Sequence, residues 1–142
     1  MSTIAPYKRK TQFYETDQMG IIHHANYVLW MEEARVDFME QMGFGYEKSV
    51  ESGVHIAVIG ISCNYRSMVR FGDTVSIKVT ITKMGPVRMV VSYEITDAAT
   101  GELRTTGEST HCFVRDGENT LVRLNRTLPE LYDLFTRSCE SQ

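Results

Sequence analysis

The chain has 142 residues, of which 42% are hydrophobic and 23% are charged, and its formal net charge is −3. This length and composition predict one globular domain, residues 1–142, that buries roughly two-thirds of its unfolded surface. The mild negative charge gives no general attraction to nucleic acid or to an anionic membrane, and no apolar run is long enough to span a bilayer.

Two further features concern the cellular location. The first ten residues lack the apolar core of a signal peptide. Cys63, Cys112 and Cys139 are odd in number and widely spaced, which is typical of reduced thiols rather than of a disulfide framework. We therefore expect a cytoplasmic protein.

The first predicted elements are a strand and a long helix. Residues 6–13 alternate in polarity and predict a strand of mixed character. Residues 28–42 predict a helix, because apolar side chains recur every three or four positions on one face: Tyr27, Met31, Ala34, Phe38 and Met42. Since other apolar residues fall on its remaining faces, we expect this helix to be enclosed. Gly43 and Gly45 end the helix, and the chain from there to residue 53 is expected to be irregular.

Four more strands and a second helix follow. Alternating side chains predict strands at residues 55–65, 74–82, 88–96 and 102–114, with glycine-containing turns between or after them. Pro129 suits the first turn of a short final helix with an apolar stripe of Leu131, Leu134 and Phe135. The strands predict an antiparallel meander with one apolar face. The predicted fold is α+β, with a curved sheet wrapped around the long helix so that both apolar surfaces are buried.

The most distinctive stretch is residues 14–27, with the sequence YETDQMGIIHHANY. It places one carboxylate, Asp17, in a polar turn with Gly20, and it brings His23 and His24 to the start of the helix. Unpaired N–H groups at a helix start can polarise an oxygen atom. Taken alone, an aspartate near a glycine is more often a turn or cap residue than a catalytic one, so both interpretations are considered.

The order of strand, polar turn with aspartate, helix and meander resembles the hot-dog fold. Several strings are also similar to the signature of the 4-hydroxybenzoyl-CoA thioesterase/YbgC-like acyl-CoA thioesterases: YETDQMG at 14–20, HANY at 24–27, Glu32, Ala34, Arg35 and RFGD at 70–73. The resemblance covers residues 7 to about 115. It implies an acyl-CoA thioesterase that forms a homodimer or homotetramer, with each active site at a subunit interface.

The resemblance also implies roles for single residues. Asp17 falls on the family's catalytic carboxylate, and the main-chain N–H of His24 falls on its oxyanion donor. His23 stands where the family more usually has an aromatic residue, which concerns the acyl pocket. The other substrate-binding positions are expected to be Gly20, Tyr27, Met31 and Tyr65.

Coenzyme A carries three phosphate groups, so basic residues should meet them. Arg88 is the first candidate, by resemblance to the family's nucleotide-binding loop, and Lys83 and Arg70 are further candidates. The acyl group stays open between aromatic and aliphatic chains, because Met19, Trp30, Met31 and Tyr65 could line either kind of pocket. An acyl carrier protein in place of coenzyme A stays open as well.

Thioester hydrolysis needs little machinery, because a thioester is electrophilic and a thiolate leaves easily. A carboxylate can attack the carbonyl carbon or activate a water as general base, and the sequence leaves both roles open for Asp17. No cofactor is expected, since coenzyme A is part of the substrate. No metal is expected either, because adjacent histidines on a helix point about 100° apart and form a poor chelate with Asp17.

Functions other than thioester hydrolysis fit the sequence less well. A hot-dog dehydratase acting on 3-hydroxyacyl thioesters usually relies on a histidine side chain with an acid, which fits the order Asp17, Gly20, His24 less well. A non-catalytic acyl-thioester binding module would need no carboxylate at position 17. Ser109 and His111 share a strand face, but the sequence shows no evident acid partner for a serine triad. Of Glu32 and Glu33, one should find a partner if the helix is enclosed, with Arg35 or a tyrosine expected.

Overall fold

The computed structural model describes residues 4–118 and 120–140. Its elements are, in chain order, β1 (Tyr7–Lys10), a 3-10 turn (Phe13–Glu15), α1 (Asn26–Gln41), α2 (Tyr46–Ser52), β2 (Val54–Tyr65), β3 (Thr74–Met84), β4 (Arg88–Asp97), β5 (Leu103–Arg115), α3 (Leu124–Thr127) and α4 (Pro129–Glu140). The five strands form one sheet in the order β1-β3-β4-β5-β2, so β1 and β2 are its edges. β1 pairs antiparallel with β3. No helix in the described ranges is long and apolar enough to cross a membrane.

All five predicted strands and both predicted helices are confirmed, and the largest change is at the first strand. The prediction carried this strand to residue 13, but β1 ends at Lys10. The reason is local, because the Gln12 N–H donates to a carboxylate oxygen of Glu15 at 2.8 Å and so starts the 3-10 turn. The chain therefore leaves the sheet before the Asp17 turn begins.

The prediction of irregular chain up to residue 53 is wrong. Residues Tyr46–Ser52 form α2, which begins after Gly45 and carries Glu47 in its first turn. An acidic side chain there interacts favourably with the helix dipole. Gly53 ends the helix in the left-handed conformation, with φ of 71°. The short helix α3 was also not predicted.

The chain divides into two compact units, the first comprising Met1–Phe38, Cys63–Val79 and Tyr93–Gly107. The predicted apolar face of α1 is confirmed from Tyr27 to Phe38, but Met42 lies beyond the end of the helix and is only partly buried. The buried residues of α1 are Tyr27, Trp30, Met31, Ala34 and Phe38. The expectation that α1 is enclosed on all sides is wrong for the single chain, because Leu29 and Val36 are 53% and 52% exposed.

The second unit comprises Met39–Ser62, Thr80–Ser92 and Glu108–Gln142. The predicted stripe of the final helix is confirmed in part, since Leu131 and Phe135 are buried. The helix α3 is held to the turn between β3 and β4, because the Leu124 N–H donates to the Pro86 carbonyl oxygen at 2.7 Å. The other buried apolar residues of this unit are Val54, Ile81, Met89, Val91, Phe113, Val122 and Leu124.

Candidate active site

The segment between the 3-10 turn and α1 folds into a tight turn around Asp17. Thr16 and Ile22 form an isolated antiparallel bridge at its base. Above the bridge, the Asp17 N–H donates to the Ile21 carbonyl oxygen at 2.9 Å, and the Gly20 N–H donates to the Asp17 carbonyl oxygen at 3.1 Å. Gly20 has φ of 75°, a conformation that other residues rarely adopt. The turn is held by its own main chain and by a neighbouring segment, because the Ile22 N–H donates to the Val69 carbonyl oxygen at 2.9 Å.

The carboxylate of Asp17 is exposed and only partly engaged. One oxygen, Oδ1, accepts the Met19 N–H at 2.8 Å, which is an Asx-turn. Within residues 4–118 and 120–140, the other oxygen accepts no hydrogen bond. The side chain is thus fixed by one oxygen and presents the second to the solvent.

The peptide group that joins His23 to His24 lies just before α1. Its carbonyl oxygen accepts the Asn26 N–H at 3.0 Å and the Asn26 side-chain amide at 3.2 Å. The N–H of the same peptide group, on His24, donates to no residue in the described part of the chain. Because hydrogen bonds to a carbonyl polarise the peptide group, this N–H is a strengthened and available donor.

Tyr65, the last residue of β2, contacts this helix start. Its hydroxyl donates to the His24 carbonyl oxygen at 3.2 Å, and burial raises the pKa of the phenol, which keeps it protonated as a donor. The Tyr65 ring meets the buried Tyr27 ring edge-on, with centroids 5.1 Å apart. The exposed rings of His23 and His24 stack at 4.2 Å. Four of the predicted site residues therefore lie together.

Glu15 is the last residue of the 3-10 turn and is not among the predicted site residues. Its side chain is buried, and both carboxylate oxygens are fully used. Arg9 binds it with two nitrogens, Nη1 to Oε1 at 2.7 Å and Nη2 to Oε2 at 3.0 Å. The Trp30 Nε1–H donates to Oε2 at 2.8 Å, and the Gln12 N–H donates to Oε1. No periodic pattern in the sequence links Arg9 or Trp30 to Glu15. These contacts therefore could not be predicted from the sequence.

Burial alone would raise the pKa of the Glu15 carboxyl, but hydrogen bonds from Trp30, Arg9 and Gln12 outweigh burial and hold the pKa below its usual range. Glu15 is therefore charged at neutral pH. Its main-chain carbonyl oxygen accepts the His23 N–H at 2.8 Å and the Asn26 side-chain amide at 3.0 Å. The Glu15 carbonyl group thus closes the loop that carries Asp17 and holds the start of α1.

The predicted phosphate-binding residues lie in two places. In the first unit, Arg70 pairs with Ile21 in an isolated bridge, which puts its exposed side chain beside the Asp17 turn. In the second unit, Lys83 and Arg88 are exposed on the β3–β4 hairpin, where the Gly85 N–H donates to the Arg88 carbonyl oxygen at 2.8 Å.

The residues expected to line an acyl pocket are placed differently from one another. Met31 and Trp30 are fully buried in the core of the first unit, and Trp30 is committed to Glu15. Met19 is 70% exposed beside Asp17, and Tyr65 is about half exposed. Substrate contacts by these residues stay predictions.

The remaining predictions about polar groups have mixed outcomes. Glu33 accepts from the Tyr7 hydroxyl at 3.0 Å and from Arg9 at 3.1 Å, which confirms a tyrosine partner. Arg35 is not its partner and donates instead to the Tyr93 hydroxyl at 3.1 Å. In the second unit, Ser109 and His111 are buried and hydrogen-bonded at 2.7 Å. No group of three or more potential metal ligands occurs in the described ranges.

Comparison with known proteins identifies the family. The sequence profile of the thioesterase-like superfamily matches residues 11–133. YneP of Bacillus subtilis (strain 168), whose assignment as an acyl-CoA thioesterase is itself provisional, is 29% identical over 129 residues, 91% of this chain and 93% of YneP. The acyl-CoA thioester hydrolase YbgC of Escherichia coli O6:H1 is 25% identical over 97 residues, 68% of this chain and 72% of YbgC.

Solved structures agree with the sequence comparison. The structure of a DHNA-CoA thioesterase from Staphylococcus aureus is similar with a TM-score of 0.88 at 29% identity, and the match covers 94% of this chain and 89% of that chain. The chain therefore belongs to the thioesterase-like superfamily. It has the α+β hot-dog fold that the sequence predicted, and it is a thioester hydrolase of the YbgC-like kind.

Proposed function

We propose that this enzyme hydrolyses an acyl-CoA thioester to a free acid and coenzyme A, with Asp17 acting on the carbonyl carbon and the His24 N–H binding the carbonyl oxygen. The observation that carries the proposal is that the Glu15 carbonyl oxygen accepts the His23 N–H at 2.8 Å, which closes the loop that bears Asp17 directly before the His24 peptide group. Each group keeps the capacity that the reaction needs, a carboxylate oxygen on Asp17 and an N–H on His24.

Two routes are chemically consistent with this site. In the general-base route, Asp17 takes a proton from a water whose oxygen bonds to the thioester carbon. The carbonyl oxygen becomes an oxyanion that accepts the His24 N–H, a type of contact that typically contributes about 3–4 kcal/mol. When the carbon–sulfur bond breaks, the leaving thiolate takes the proton from Asp17.

In the nucleophilic route, an Asp17 oxygen bonds to the thioester carbon and the thiolate leaves, which forms a mixed anhydride. Water then hydrolyses the anhydride and restores the carboxylate. A single turnover in ¹⁸O-labelled water tests for the anhydride. Label in the Asp17 side chain requires the anhydride, whereas label found only in the released acid favours the general base.

The acyl group is proposed only as a class to be tested. The named relatives act on acyl-CoA or on DHNA-CoA, which includes both aliphatic and aromatic possibilities for this chain. The test is thiol release from a panel of acyl-CoA esters that includes DHNA-CoA, with matched acyl carrier protein thioesters. We expect release from at least one coenzyme A ester. No release from any thioester would contradict the proposal, and dehydration of a 3-hydroxyacyl-CoA would favour the dehydratase alternative.

We further propose a homodimer or homotetramer with active sites at the subunit interface. The support is that β2 is an edge strand with three apolar side chains nearly half exposed, Val58, Ile59 and Ile61. A long apolar edge strand is prone to pair with another chain. Sedimentation at micromolar concentration should give a dimer or larger, and a monomer would contradict this. We also propose a cytoplasmic location, which the free cysteines support. We propose that the enzyme needs no cofactor, since coenzyme A is part of the substrate.

A further inference from the structure

The cluster around Glu15 ties together three parts of the first unit. Arg9 comes from β1, Trp30 comes from α1, and Glu15 itself ends the 3-10 turn. Arg9 is held in turn by the Glu33 carboxylate, with Nε to Oε1 at 3.1 Å. A buried carboxylate is tolerated only when its oxygens are satisfied, and here four donors satisfy them. The side chain of Glu15 therefore has one stable position.

The main chain of the same residue fixes the proposed reacting groups. Asp17 follows Glu15 by two residues, and the loop from 16 to 22 is closed by the Thr16–Ile22 bridge. The Glu15 carbonyl oxygen holds the His23 N–H, and the His24 peptide group is the next one along the chain. Asn26 adds a second link, because its side-chain amide donates to the carbonyl oxygens of both Glu15 and His23.

We propose that Glu15 is a positioning residue for catalysis, whose clamped carboxylate sets the position of Asp17 relative to the His24 N–H. This inference rests on the proposed function. The carboxylate does not need to touch substrate, since its effect passes through the main chain. Misplacement of a reacting group by about 1 Å can cost about 100-fold in rate, so loss of the clamp should appear in kcat.

The test variant is Glu15→Gln, which keeps the shape of the side chain. Its amide would place N–H donors against the Trp30 or Arg9 donors, so the clamp loosens. We expect kcat for acyl-CoA to fall about 10- to 100-fold, with KM changed by no more than about twofold. Combined with Asp17→Asn, the same substitution should cause a smaller further fall in kcat than it causes alone, because part of its effect passes through Asp17.

The matched control is Asp97→Asn. Asp97 is also buried and bound to an arginine, with Oδ2 3.1 Å from Arg104 Nη2, but it lies at the turn between β4 and β5. Both variants should lower Tm, and only Glu15→Gln should lower kcat. If Glu15→Gln fails to fold, Arg9→Lys keeps the positive charge, loses the forked geometry and should lower kcat about three- to tenfold.

The outcomes separate this inference from the proposed function. If Asp17→Asn abolishes turnover while Glu15→Gln or Arg9→Lys leaves kcat unchanged, the positioning role is wrong and the proposed function stands. An equal fall in kcat for Asp97→Asn would reduce the effect to general destabilisation and would also overturn it. If Asp17→Asn itself turns over normally, the proposed function fails, and the positioning role fails with it.

Discussion

The turn at residues 17–20 and the turn at residues 97–101 both begin with an aspartate and both contain a glycine with positive φ, 75° at Gly20 and 79° at Gly101. In each turn that glycine donates its N–H to the carbonyl oxygen of the aspartate, at 3.1 Å and 2.8 Å. Both turns are therefore closed by a glycine, three residues after Asp17 and four residues after Asp97. The two carboxylates differ.

Asp97 has both oxygens occupied. Oδ1 accepts the N–H groups of Ala99 and Thr100 at 2.8 and 2.9 Å, and Oδ2 is paired with Arg104. The Asp17 carboxylate is exposed, and within the described ranges it accepts one hydrogen bond, from the Met19 N–H. The difference teaches that a turn aspartate becomes available for chemistry when its scaffold is held by other groups. The Asp17 turn is held instead by its main-chain hydrogen bonds and by the Glu15 carbonyl oxygen, which accepts the His23 N–H.

The most direct test of this difference exchanges each of the two aspartates for asparagine. We expect Asp17→Asn to lower kcat about 100- to 10,000-fold, because the amide can neither attack nor accept a proton, with Tm nearly unchanged. Asp97→Asn should do the reverse, leaving kcat close to wild type and lowering Tm. Thiol release and thermal unfolding of both variants measure this.

Asn26→Ala tests the His24 N–H rather than the Asp17 carboxylate. Loss of the side-chain amide removes one of the two donors to the His23 carbonyl oxygen and a link to Glu15. We expect kcat to fall about fivefold, since a single hydrogen bond contributes about 1 kcal/mol. The control is Asn125→Ala, which removes the same amide from an exposed position in α3. An unchanged kcat for Asn26→Ala would show that this polarisation is irrelevant.

Arg88→Ala extends the comparison to basic residues, because Arg104 is committed to Asp97 whereas Arg88 is exposed on its hairpin. If Arg88 meets a phosphate of coenzyme A, its loss should raise KM for acyl-CoA by up to about fivefold and leave kcat unchanged, as expected for an exposed charge pair. An acyl-pantetheine ester lacks the nucleotide and serves as the control substrate. Equal KM values of variant and wild type for acyl-CoA would remove Arg88 from the site.

Acid should weaken the Asp97 turn. Hydrogen bonds from the Thr100 N–H and the Arg104 side chain hold the pKa of Asp97 below its ordinary value. The unfolded chain therefore binds a proton more readily than the folded one, so this contribution is complete above about pH 3.9 and is lost as the pH falls through the lower folded-state pKa. In urea titrations at a series of pH values below 5, the free energy of unfolding should fall less steeply with falling pH for Asp97→Asn than for wild type. Parallel curves for variant and wild type would contradict this.

The sequence predicted the sheet well because alternation reports which face of a strand is buried, as in β3, where Val75, Ile77 and Ile81 are buried. The assignment of Asp17 and His24 to the active site comes from a resemblance carried by one short string, and it stays a prediction. The sequence could not predict the Glu15 clamp, because the partners Arg9 and Trp30 come from other elements and meet Glu15 only in the folded chain. The sequence also could not predict α2. None of the residues of this helix is buried, so no apolar stripe marks it, and its ends are set by Gly45 and Gly53.

The most direct measurement is a crystal structure with a non-hydrolysable acyl-CoA analogue whose sulfur is replaced by a methylene group. The account predicts that the analogue's carbonyl oxygen lies about 2.7–3.1 Å from the His24 nitrogen. It also predicts an Asp17 carboxylate oxygen about 3–3.5 Å from the carbonyl carbon, or bound to a water at that distance. A carbonyl group bound away from both residues, with the Asp17 side chain directed into solvent, would contradict it.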